Sequence, residues 1–104
     1  MIKISISKIK KWCTNKDLFK LVEATKYEDP EIRKAAILSI ATIGDKACLE
    51  FVQELYDQEL DLFVRREILK CSAVLEKSKY DSRKVKEIKY SPELIQLIPN
   101  SQGA

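Results

Sequence analysis

Asp57, Glu59 and Asp61 stand two residues apart, and carboxylates at such short range are what general acid and base chemistry would require. They fall in a polar stretch between two predicted helices, where acidic residues cap and solubilise, so the trio reads as a turn. No other catalytic set is present. The chain holds no histidine, which removes the commonest general base near neutral pH, and only two glycines, too few for a phosphate cradle. Its three cysteines, Cys13, Cys48 and Cys71, are widely spaced and form no CxxC pair, so neither a zinc site nor a disulfide framework is expected. Cys71 lies on the apolar arc of a predicted helix and reads as a small buried hydrophobe. The residues thus predict no catalytic group, no metal and no cofactor.

Binding chemistry is better represented. Trp12 is flanked by Lys8, Lys10, Lys11 and Lys16, a combination that stacks a base, docks a partner or covers an open end of the fold. A second basic group, Lys77, Lys79, Arg83, Lys84, Lys86 and Lys89, is interleaved with Tyr80 and Tyr90, a composition suited to phosphate contact. Between them the charge reverses. Residues 1–20 hold six lysines against Asp17, a net +5; residues 21–60 hold four basic against nine acidic groups, a net −5; residues 61–104 return to +3. Charge is therefore banded along the sequence, although the sum is only +3.

The elements that position these groups are read from apolar spacing. The stretch Asp29 to Asp45 is a helix with too much apolar surface for one exposed side: Ile32, Ala36, Ser39, Ile40 and Ile43 form one face, while Ile37, Ala41 and Leu38 cover most of the other. Such a helix needs neighbours on both flanks. Asp29 caps it, Pro30 occupies the first helical position, and Gly44 is expected to close it in the left-handed conformation. Before it come a helix from about residue 5 to 13, with Ile2, Ile6, Ile9 and Cys13 as a stripe, and a second running to about residue 26. The break between them is assigned to Thr14 and Asn15, with Asn15 as N-cap and Asp17 in the first turn. After the central helix, Asp45 caps an amphipathic helix over Lys46 to Asp57. Its apolar arc is Cys48, Leu49, Val52, Leu55 and Tyr56, and its water-facing arc is Glu50, Gln53, Glu54 and Asp57.

The segment from Asp61 repeats the central helix. A shift of 32 residues lays Arg65 on Arg33, Val64 on Ile32, Ile68 on Ala36, Ala73 on Ala41 and Leu75 on Ile43. A weaker match at a shift of 31 lays Leu49, Val52 and Leu55 on Leu18, Leu21 and Ala24. Beyond Lys77, Tyr80-Asp81-Ser82 reads as a turn and Ser91-Pro92-Glu93 as a helix start leading into Leu94, Ile95, Leu97 and Ile98. Alternation of one buried and one amphipathic helix at this period is the pattern of an α-solenoid.

On Asp29-Pro30-Glu31-Ile32-Arg33, Ala35-Ala36, Ile40 and Ile43-Gly44-Asp45, followed by the amphipathic helix and a second Asp61…Val64-Arg65, the chain resembles HEAT-like repeats, in particular the short type first described in phycobilisome lyases. The resemblance covers residues 17–77. The second copy departs from the pattern, with Ile68 in place of the usual alanine, Ser72 of a leucine and Glu76-Lys77 of glycine-aspartate. It implies an all-α fold, a short right-handed α-solenoid of about two and a half antiparallel helical hairpins. It also implies that Arg33, Asp45 and Arg65 bridge neighbouring units, and that second helices line a curved inner surface used mostly to hold another protein.

One domain over residues 1–98 and a disordered tail over 99–104 are expected. With no apolar run long enough for a membrane span and no secretory signal at the N-terminus, the expected location is the cytoplasm. The expected function is a non-enzymatic protein-binding scaffold or adaptor. Its partner, another protein, would meet Lys46, Glu50, Gln53, Glu54 and Asp57 on the inner helix. The alternatives are nucleic-acid binding through Lys8, Lys10, Lys11, Trp12, Lys79, Arg83, Lys84 and Lys86, or an accessory role to an enzyme. Self-association as a homo-oligomer is a further expectation, since open ends of a short stack expose apolar surface.

Overall fold

The computed structural model describes residues 3–83, and in them the chain forms five α-helices and no strand. These are α1 (Ile6–Thr14), α2 (Leu18–Ala24), α3 (Pro30–Ile43), α4 (Leu49–Gln58) and α5 (Leu62–Glu76), with one 3-10 turn, Lys46–Cys48, leading into α4. None of the described helices is long and apolar enough to cross a membrane. The helix start at Ser91, Lys84, Lys86 and the tail lie outside the described residues.

Helix α3 sits at the centre because apolar residues cover most of its circumference, but it is not fully enclosed. Leu38, expected on the covered second face, is 51% exposed on one narrow side with Glu31 and Thr42, because α1, α2 and α5 pack against the rest of the helix. It packs extensively against α1, α2 and α5, and it buries Ile32, Ala36, Ile37, Ser39, Ile40 and Ala41. Burial of each large aliphatic side chain stabilises the fold by about 1.5–3 kcal/mol. Leu21 and Ala24 of α2, Val52 of α4, and Val64, Ile68, Cys71 and Leu75 of α5 complete one continuous core. Helix α4 has its main packing partner in α5.

Both long helices begin the same way. The Asp29 carboxylate accepts from the Glu31 N–H at 2.9 Å, and the Asp61 carboxylate accepts from the Phe63 and Val64 N–H groups at 2.9 and 3.1 Å. Two terminal details differ from the sequence reading. Asp17, not Asn15, caps α2: its carboxylate accepts from the Lys20 N–H, Asn15 ends α1, and Lys16 makes the reversal with φ 56°. Gly44 closes α3 with φ −83° and ψ −176°, an extended conformation open to any residue. What requires glycine there is space, since a Cβ at this position would lie 2.5 Å from the Ile40 carbonyl oxygen and 2.8 Å from Cys48 Sγ.

Candidate functional site

Helix α4 carries the residues singled out for partner contact. Glu50, Gln53, Glu54 and Asp57 are all exposed and fall within one arc of its surface, while Val52 on the opposite arc is fully buried. Lys46 does not join them. It lies in the 3-10 turn, half-buried, and its N–H donates to the Tyr80 carbonyl at 3.2 Å. The helix expected from Lys46 starts three residues later because Asp45 accepts from the Ala47 N–H, two residues on, at 2.8 Å and winds the first turn tightly.

Beside the acidic arc runs a groove of about 530 Å³, between α4 and the loops that precede α3 and α5. Phe51, Leu55 and Leu60 supply apolar wall, and Glu28, Glu54 and Gln58 supply polar rim. Leu60 is 92% exposed, so its side chain is held out in a loop whose other members are acidic. The sequence reading missed this half of the site. Its available signal was Leu60 itself, a large hydrophobe among turn residues.

Arg33 shapes the groove from below. Its Nε and Nη2 donate to the two Glu59 carboxylate oxygens at 2.9 and 2.8 Å, and its Nη1 donates to the carbonyls of Tyr27 and Glu28 at 2.9 and 2.8 Å. One guanidinium thus ties the loop before α3 to the loop before α5. The pairing with Glu59 raises the Arg33 pKa above its ordinary value, against a smaller opposing effect of burial. Asp45 makes a comparable link, its second carboxylate oxygen accepting from the Ser82 N–H at 3.2 Å. Arg65 does not. Its guanidinium lies over the Tyr56 ring, 4.1 Å from the centroid, and its Nε is buried without a hydrogen-bond partner.

The residues of the basic reading are dispersed. Lys8, Lys10 and Lys11 are exposed on α1, and Trp12 is half-buried with the Lys20 ammonium 5.8 Å from its ring centroid, a cation–π contact already made within the chain. Lys79 and Arg83 are exposed at the far end of the described chain. The Arg83 guanidinium is committed to Asp81, its Nη2 donating at 3.2 Å, and that hydrogen bond raises its pKa. Asp57, Glu59 and Asp61 are not brought together: Glu59 is bound to Arg33, Asp61 caps α5, and Asp57 faces solvent on α4. Comparison of the chain with family models, with curated proteins and with solved structures finds no match.

Proposed function

We propose that this chain is a non-enzymatic protein-interaction module, a short HEAT-like stack that holds a basic, amphipathic segment of another protein along α4. The observation that carries the reading is the pairing of surfaces there. An exposed carboxylate arc, Glu50, Glu54 and Asp57, adjoins a groove whose wall is Phe51, Leu55 and Leu60. A helix or extended segment with alternating lysines and large apolar residues meets both at once, apolar anchors in the groove and ammonium groups on the rim. Opposite charge across the rim speeds encounter and selects against acidic segments. The repeat reading is supported by the like-capped, arginine-bearing starts of α3 and α5 and by the packing of α2 on α3 and α4 on α5.

The test is a titration of the protein with a synthetic lysine-rich amphipathic peptide, followed by fluorescence. Binding is expected, and the triple variant Glu50→Lys, Glu54→Lys, Asp57→Lys should lose it by more than about tenfold, or about 1.4 kcal/mol, with its thermal midpoint nearly unchanged. Undiminished binding by a folded triple variant would refute the assignment. Nucleic-acid binding at Lys8, Lys10 and Lys11 predicts retention of single-stranded DNA in a low-salt gel shift, untouched by the same variant.

A further inference from the structure

Helices α3 and α5 occupy equivalent positions at a shift of 32 residues, but they differ on one face. On α3, Ile37 is 1% exposed and Ala41 is 9% exposed. On α5 the corresponding residues are Leu69, at 56%, and Ala73, also exposed; Leu62, seven residues before Leu69 on the same side, is 76% exposed. The cause is the number of neighbours: α3 has helices on both flanks, and the main packing partners of α5 among the described elements are α3, α4 and the 3-10 turn. This leaves an apolar stripe along α5 whose Leu69 and Ala73 stand where α3 buries Ile37 and Ala41.

We propose that this stripe is a self-association surface, on which α5 of a second copy lies antiparallel about a twofold axis. The occupant is indicated by the charges bordering the stripe. Arg66 lies one helical turn after Leu62, between it and Leu69, and Glu76 stands at the C-terminal end of α5, both exposed and neither in an ion pair among the described residues. An isologous contact needs each surface to complement itself, and antiparallel helices pair residue i with a residue whose number makes a constant sum with it. The register that sets Arg66 opposite Glu76 of the second copy also sets Leu69 opposite Ala73 of the second copy, a large side chain against a small one. Two ion pairs and two Leu–Ala contacts follow from one alignment, with the axis crossing the exposed side of α5 at the height of position 71, while the Cys71 side chain itself points into the core. A parallel pair would instead set Arg66 against Arg66. None of Leu62, Leu69 and Ala73 lines the α4 groove.

Sedimentation equilibrium of the full chain from about 10 µM to about 1 mM tests the proposal. The wild type is expected to shift from monomer to dimer over that range. Leu69→Asp, which changes an exposed position, should remain monomeric while keeping its helical circular dichroism. The sharper measurement uses charge. Arg66→Glu alone and Glu76→Arg alone each face like charges at both ends and should be monomeric. Their equimolar mixture restores both ion pairs and should dimerise. A wild type monomeric throughout, as expected if residues 84–104 of the same chain cover the stripe, would overturn the proposal. So would a Leu69→Asp dimer as tight as the wild type, or a mixture of the two charge variants no more associated than its components.

Discussion

Arg33 and Glu59 are 26 residues apart in sequence and meet in a two-pronged ion pair, with side chains only 18% and 9% exposed. Removing one partner would leave the other charge partly desolvated, and Arg33 would keep only its two carbonyl acceptors. Glu59→Gln is expected to lower the unfolding free energy by about 2 kcal/mol in a urea titration, because a hydrogen bond to a charged group contributes about 1.5–3 kcal/mol. Arg33→Ala should cost at least as much. A double variant no worse than either single variant would confirm that the two act as one unit, and fully additive losses would contradict it.

Gly44 is required by contact distance and not by backbone angle. A methyl group there meets the Ile40 carbonyl, which is fixed in the last turn of α3, and the Cys48 sulfur, which can turn away. Gly44→Ala is therefore expected to destabilise by about 1–3 kcal/mol, the range for overpacking. Gly44→Ala combined with Cys48→Ala should recover part of that loss, seen as a higher thermal midpoint than the single variant. No recovery would place the whole clash on the backbone oxygen.

The Cys71 thiol is pushed up to about 11, first by burial and then by Glu67, with Lys70 opposing. An unfolded thiol titrates near about 8.5, so the native state keeps its proton to higher pH than the unfolded chain does. The contribution is complete below pH of about 8.5 and is lost as the pH rises through 11. Urea midpoints measured at pH 7, 9 and 10.5 should fall more steeply for the wild type than for Cys71→Ala. Parallel pH profiles for the two proteins would show that Cys71 is not the group responsible.

The helices themselves were legible in the chain because their signals are local. Aspartate, proline and a 3.6-residue apolar period act within one turn or a few, so Asp29 with Pro30, and Asp61 with Val64, announce α3 and α5 without reference to anything distant. The central place of α3 was legible for the same reason, since a helix as apolar as Ile32, Ile37 and Ile40 make it needs neighbours on more than one side, although Leu38, expected to be covered, is left 51% exposed. The acidic arc of α4 was equally plain. Some misassignments fell at element ends, where Asp17 took the cap expected of Asn15 and a 3-10 turn displaced Lys46, because neighbouring oxygens compete for the same few N–H groups.

Tertiary structure alone decided which of two similar sequences is covered and which is bare. Ile37 and Leu69 share a register and a chemistry, and nothing within either helix separates them; the difference is the helix that lies against one and not the other. Likewise Arg33 and Arg65 begin equivalent turns, yet only Arg33 reaches a carboxylate, because Glu59 is carried to it by a loop 26 residues further on. Such pairings depend on where the chain returns in space, and sequence spacing does not encode that distance.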